Sequence, residues 1–204
     1  MAECTKANPL HFGHVCTELS RHMEKDVIIT TGVGHHNIWA REIFPIRNRE
    51  SFVQEASWGS MGSELGGGIA AKLVYPERQV MVITGDGSLL MTISDMVTAV
   101  ETGANILIVV LNDSRYGIIS TMQHEFYDRS SGDKIGAIDF ARIAEGYGAV
   151  GIRVEAPQDL PAAVARALAS STRSAVLLDV VCDSRYCWPD RPAVLAAGLK
   201  AVGS

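Results

Sequence analysis

Two aspartates, Asp86 and Asp113, stand 27 positions apart, and each follows a short apolar run: Val80-Met81-Val82-Ile83-Thr84-Gly85 before the first, Ile106 through Asn112 before the second. β-Branched runs of this length joined by one amphipathic helix read as a βαβ unit with buried parallel strands. In a right-handed unit both strands point the same way, so their carboxyl ends open on one edge of the sheet, where α/β folds place ligands. The two carboxylates therefore meet. Gly85 and Gly87 leave the backbone bare on either side of Asp86, so peptide N–H groups at a helix start can approach a phosphate. Carboxylates beside a phosphate hold a hard cation, which magnesium chemistry completes with phosphate oxygens and water. A lone Gly-Asp-Gly is ordinarily turn punctuation. Here a strand, a helix and a second acidic strand end accompany it.

The elements that must position these residues follow the chain. Leu10, Val15, Leu19 and Met23 recur at helical spacing, with Asn8-Pro9 as cap and first-turn proline, which predicts a helix from Asn8 to about Lys25. A strand from Asp26 to Thr31 runs into Gly32-Val33-Gly34-His35-His36-Asn37 and a short helix through Trp39. That stretch departs from a nucleotide-binding G-x-G-x-x-G at Asn37, and no acidic residue ends a clear second strand, Glu50 and Glu55 lying in polar or loop-like sequence. Nicotinamide binding is therefore not expected. Residues 56–68 are glycine-dense at the start of a helix through Val74, which implies backbone brought close to something flat or bulky. Neither Ser60 nor Ser63 has glycine on both sides at the spacing of a hydrolase nucleophile elbow.

After Ser88 a helix carries Leu89, Ile93, Met96, Val97 and Val100 on one face and ends at Gly103. Beyond Asp113 the chain turns through Ser114-Arg115-Tyr116-Gly117, and Gly132-Asp133-Lys134 reads as an exposed loop. Asp139 begins a helix with Phe140, Ile143 and Ala144 inward; a strand over 150–154, an alanine-rich helix over 157–169 and a strand over 175–181 follow. Arg185 emerges on the ligand side, where an exposed arginine is more often solvated than a carboxylate anchor. The expected architecture is α/β: a doubly wound, mainly parallel sheet with helices on both faces, in a single domain over 1–204, with no repeat or linker dividing it.

A net charge of −5 without basic clusters offers no footprint for nucleic acid. No apolar run is long enough to span a bilayer, and the N-terminus lacks a basic segment leading into an apolar one, so the cytoplasm is the expected compartment. Cys4, Cys16, Cys182 and Cys187 fit neither a CxxC pair nor zinc spacing, and reduced thiols are expected. His11 and His14 near Cys16 are read as an ordinary helix surface rather than a metal site.

Gly85-Asp86-Gly87-Ser88, followed by a strand that closes on Asn112-Asp113, resembles the magnesium and diphosphate motif of thiamine-diphosphate enzymes. The resemblance runs from about Val27 to Val181 and is strongest to the acetohydroxyacid (acetolactate) synthases. It implies that Asp86, Asp113 and the backbone carbonyl of Arg115 hold magnesium. Asp113 stands where the family usually has Asn, which adds a negative charge near the diphosphate; Asn112 is not expected to replace it, because a strand alternates faces. The family's Val-Gly-Gln-His segment, which contacts the diphosphate, maps onto Val33, Gly34, His35 and His36, with His35 in place of Gln; either side chain donates hydrogen bonds. Gly59 would accept from the aminopyrimidine, and Met61 would wedge between the two rings of the cofactor, which makes these two the catalytic positions. Ser60, Gly85, Gly87, Ser88, Tyr116, Gly117 and Ile118 complete the implied cofactor-binding set, with Ile119 as a further wall residue.

These enzymes bind the aminopyrimidine on a second domain whose glutamate activates it, and that half has no match in these 204 residues. The implied protein is the diphosphate-binding subunit of a two-subunit enzyme, a hetero-tetramer or higher. It would decarboxylate a 2-oxo acid and transfer the acyl carbanion equivalent to an acceptor, with the partner subunit supplying the glutamate. The alternatives are a non-ligating decarboxylase subunit similar to sulfopyruvate decarboxylase, or a cofactor-binding half-enzyme without turnover. A 2-oxoacid:ferredoxin oxidoreductase subunit would need iron–sulfur cysteines that the spacing here does not offer.

Overall fold

The computed structural model describes residues 10–55 and 57–183. Asn8-Pro9, Cys4, Cys187 and Arg185 lie outside them. Among the described residues fifteen elements follow one another: β1 (Leu10–His11), α1 (Phe12–Ser20), β2 (Ile28–Thr31), α2 (His35–Ile43), β3 (Phe52–Gln54), α3 (Ser63–Val74), β4 (Val80–Gly85), α4 (Asp86–Leu89), α5 (Met96–Glu101), β5 (Leu107–Asn112), α6 (Gly117–Tyr127), α7 (Phe140–Gly146), β6 (Val150–Val154), α8 (Leu160–Ser171) and β7 (Val176–Asp183). Short 3₁₀ turns lie at Arg49–Ser51, Ile93–Asp95 and Pro157–Asp159.

The sheet is parallel throughout, in the order β3-β2-β4-β5-β7. Beyond β7 its edge is shared: β6 pairs along Val176 to Val180, and β1 pairs with Cys182 and Asp183. Parallel strands covered on both faces should be apolar on both, and β4 and β5 are buried at every position. Met81, Ile83, Leu107, Val109 and Leu111 pack on one face with residues of α1, α2 and α8. Val80, Val82, Ile108 and Val110 pack on the other with residues of α3, α5 and α7. The two-residue alternation of each strand thus feeds two cores, and the doubly wound expectation holds.

Local expectations changed in several places. The first helix is shorter than predicted, at Phe12–Ser20, and its cap is His11, whose ring accepts from the Gly13 N–H at 3.1 Å. His11 and Cys16 are buried rather than on an ordinary helix surface, because β1 carries this segment into the sheet edge. Cys16 and Cys182 are both free and buried. The stretch between β4 and β5 is not one helix. It breaks at Thr92 (φ −140°, ψ 16°), which resets the helical phase, so that Met96 and Ala99 turn inward while Val97 is exposed. Asp133 is buried instead of sitting in an exposed loop: residues 133–135 fold back on the turn after β5, with the Tyr116 N–H donating to Asp133 O at 2.8 Å and the Ile135 N–H to Ser114 O at 2.9 Å. A second strand, β3, does follow the first glycine segment, and Glu55 stands directly after it. No helix among the described residues is long and apolar enough to cross a membrane.

Candidate functional site

β4 and β5 are neighbours in register, Gly85 opposite Leu111, so the residues that follow them leave the sheet side by side. Asp86 opens α4 and is 3% exposed. Its Oδ1 accepts from the Gly87 N–H at 2.7 Å and its Oδ2 from the Arg115 N–H at 3.2 Å. Those bonds tie the turn after β5 to the end of β4. Burial, with the Asp113 charge second, pushes the Asp86 carboxyl up to about 7, although the N–H groups of Gly87, Ser114 and Arg115 pull the other way. Ser114 turns the chain just after Asp113 in the left-handed region, φ 57°, which few non-glycine residues adopt. A buried acid beside a half-buried one makes a site that favours positive charge. A divalent cation is one group that could supply it.

The two carboxylates line a cavity of about 260 Å³. Val33, Gly34, His35, His36, Gly59, Met61, Gly85, Gly87, Ser88, Arg115, Tyr116, Gly117 and Ile118 line it too, as does Ile119. Of the positions singled out in the sequence, Ser60 alone is absent from the wall, and its N–H is turned to Glu55 Oε2 at 3.0 Å. Phe12 and Leu111 join the wall without having been foreseen. Phe12 arrives through β1, a two-residue strand too short to leave a periodic signal.

Bare backbone matters at two points of this wall. A Cβ on Gly85 would come within 2.9 Å of the His36 ring, and one on Gly87 within 2.6 Å of the Tyr116 ring. His36 and His35 are each 3% exposed. Burial pushes the His36 imidazole down to about 4, with the Glu64 charge opposing, so the ring is neutral at pH 7. Its Nε2 is buried without a hydrogen-bond partner among the described residues. In the tautomer with its proton on Nε2, that nitrogen is a buried donor in a cavity wall beside stripped glycine backbone, and a phosphate oxygen could accept from it.

Ser88 does double duty. It lines the cavity, and its Oγ accepts from the Gly62 N–H at 2.9 Å. Thr92 Oγ1 donates to Gly62 O at 2.9 Å, so the break in the helix after β4 is what delivers Thr92 to the glycine loop. Asn112 faces away from the cavity, its Nδ2 donating to Asp179 Oδ1 at 2.9 Å and to Ile138 O at 3.1 Å. Glu64 was not foreseen. It is 2% exposed in the first turn of α3, accepts from Thr84 Oγ1 at 2.5 Å, and its Oε2 has no partner among the described residues. A lone acid in a glycine-rich helix start gives no sign of such burial.

No three His, Cys, Asp or Glu side chains gather into a metal cluster among the described residues. A cation held by Asp86 and Asp113 would have to draw its other ligands from backbone, phosphate and water, which suits magnesium better than zinc.

Comparison with known proteins shows the family. The family model described as thiamine pyrophosphate enzyme, C-terminal TPP binding domain, matches residues 32–180. The mitochondrial acetolactate synthase catalytic subunit of Saccharomyces cerevisiae is 35% identical over 172 residues, 84% of this chain and 24% of the yeast protein. Acetolactate synthase of Bacillus subtilis is 33% identical over 180 residues, 87% of this chain and 30% of that protein. The acetolactate synthase isozyme 3 large subunit of Escherichia coli is 31% identical, over 86% of this chain and 31% of its own length. The chain thus spans 24% to 31% of the length of these curated relatives. On the matched span and the relatives together, the chain belongs to the thiamine-diphosphate enzymes and carries their C-terminal cofactor-binding domain.

Proposed function

We propose that this chain is the diphosphate-binding subunit of a two-subunit, magnesium-dependent enzyme that removes CO2 from a 2-oxo acid and passes the remaining acyl unit to an acceptor, a reading supported by its similarity to proteins named acetolactate synthase. The observation that carries the reading is the convergence of Asp86 and Asp113 at the tips of β4 and β5, beside the bare backbone of Gly85 and Gly87.

In this reading Asp86, Asp113 and the Arg115 carbonyl hold magnesium, and the Gly87 segment with His35 and His36 takes the diphosphate. The Gly59 carbonyl accepts from the aminopyrimidine, and the Met61 side chain keeps the two rings of the cofactor bent toward each other. Tyr116, Ile118 and Ile119 keep water from the reacting face. Thiamine diphosphate, when bound, supplies the electron sink for loss of CO2. The cavity is small, about 260 Å³ against roughly 300–1,000 Å³ for pockets that bury a whole drug-sized ligand, which supports a site completed by a second subunit carrying the pyrimidine-binding half and its glutamate. The cytoplasm is the proposed compartment, supported by the unpaired thiols of Cys16 and Cys182.

Calorimetry with thiamine diphosphate and Mg²⁺, on the chain alone and with a co-purifying partner, tests the reading. The expected result is binding by both and turnover of pyruvate only with the partner, yielding a ligated hydroxy acid. Acetaldehyde as sole product would replace ligation by simple decarboxylation. Full activity of the chain alone would remove the second subunit, and no cofactor binding in either case would discard the proposal.

A further inference from the structure

Glu55 leaves the sheet directly after β3, whose Gln54 lies opposite Thr31 of β2, so it emerges at the same edge as the cavity. Its carboxylate then turns onto its own chain. Oε1 accepts from the N–H groups of Ser57 at 2.7 Å and Trp58 at 2.9 Å, and Oε2 accepts from the Ser60 N–H at 3.0 Å. Between these bonded residues lies Gly59, at φ 63°, lining the cavity. At its far end the same loop is fixed through Gly62, by Ser88 Oγ and Thr92 Oγ1.

We propose that Glu55 is a positioning residue: its carboxylate holds the 57–60 loop so that the Gly59 carbonyl is presented to the pyrimidine ring of the cofactor, an inference that rests on the function proposed above. Side-chain packing does not supply this restraint, since Trp58, the largest side chain of the loop, is 91% exposed. Three N–H groups on one carboxylate are charge-assisted bonds, about twice as strong as neutral ones, so a single side chain can impose the loop's shape. The same three bonds hold the Glu55 carboxyl below the usual carboxylate range, the Ser60 N–H having the largest effect. They also explain why an acid at the end of the second strand is not a nucleotide ribose acceptor: its oxygens are turned inward onto the loop.

The grip on Gly59 concerns the ring end of the cofactor and leaves the diphosphate end alone. The test therefore compares two probes by calorimetry in the presence of Mg²⁺, thiamine diphosphate and inorganic diphosphate, on wild type, Glu55→Gln and Glu55→Ala. Glu55→Gln keeps an oxygen for Ser57 and Trp58 and loses the acceptor for Ser60; Glu55→Ala loses all three bonds. The preference for thiamine diphosphate over diphosphate is expected to fall about threefold in Glu55→Gln and about tenfold in Glu55→Ala, at unchanged diphosphate affinity. Amide exchange at Ser57, Trp58 and Ser60 should quicken in the same order. If Glu55→Ala does not fold, Glu55→Gln decides alone. Equal loss for both probes would make Glu55 a general stabiliser of the fold, and an unchanged ratio would leave it no role in presenting Gly59; either overturns the inference while the proposed function stands. A wild-type chain that binds neither probe overturns both.

Discussion

Asn112 and Asp113 are consecutive but serve opposite sides of the sheet edge: Asn112 Nδ2 is bonded to the buried Asp179 carboxylate at 2.9 Å, while Asp113 lines the cavity with Asp86. Asp179, 0% exposed, also accepts from the Phe140 N–H at 3.1 Å and from the Arg153 guanidinium. One carboxylate thus fastens β5, β6 and the start of α7. Removing one partner of such a buried network costs about 3–5 kcal/mol. Asp179→Ala should lower stability by that order in guanidinium unfolding, and should weaken Mg²⁺ binding because the end of β5 loses its anchor. Stability within about 0.5 kcal/mol of wild type would show that the network holds nothing.

Asp86→Asn separates binding from folding. The carboxyl is buried and faces Asp113, so removing its charge relieves a repulsion in the metal-free protein. Such sites trade stability for function, and the variant should gain about 1 kcal/mol in thermal or denaturant unfolding without metal. Mg²⁺-dependent binding of thiamine diphosphate should be lost in calorimetry. Retained binding would remove Asp86 from the cation.

His36 gives a pH signature. Its imidazole titrates near 4 in the folded protein, below its ordinary 6.5, so the unfolded chain takes up a proton that the folded chain refuses. Its contribution to stability is therefore present above pH 6.5 and lost as pH falls toward 4, with a ceiling of about 1.4 kcal/mol per pH unit. Asp86, titrating near 7 instead of 3.8, works in the opposite direction, losing stability as pH rises through the same window. The wild-type profile is consequently a partial cancellation. The difference between wild type and His36→Gln isolates the histidine: unfolding at pH 7.5, 6 and 4.5 should show the variant losing less stability on acidification. Parallel profiles would mean that the ring is already charged or already hydrated.

How much of this was written in the sequence depends on range. The strands β4 and β5 and the wall built on Asp86 and Asp113 were legible because burial on both faces forces β-branched runs, and the ligand edge then follows from the parallel connection. β1 and β3 were not, since two- and three-residue strands are set by their neighbours rather than by a pattern of their own. Missing β3 hid Glu55. The break at Thr92 was hidden too, because the partner of its side chain, Gly62, lies 30 residues away. Asp133 looked exposed in a Gly-Asp-Lys triplet, but it is covered by the return of the chain onto the turn after β5.

The glycine density before Val74 has two causes, and Gly68→Ala tells them apart. Gly59 faces the cavity, but Gly68 lies inside α3, where an added Cβ would stand 2.3 Å from Val82 Cγ2 and 3.3 Å from Thr30 Oγ1. That glycine lets the helix lie close on β4 and β2; it serves the helix–sheet contact and not a ligand. Alanine is the better helix former by about 1 kcal/mol, yet overpacking a filled core costs typically about 1–3 kcal/mol. The clash is with a β-branched side chain in a buried strand, which has few rotamers to escape into. The balance should be a net loss of about 1–2 kcal/mol in denaturant unfolding, with affinity for thiamine diphosphate and Mg²⁺ unchanged once the variant is folded. Were Gly68→Ala to weaken binding instead and leave stability intact, the segment's glycines would all belong to the site, and the packing of α3 on the sheet would have to be looser than it is.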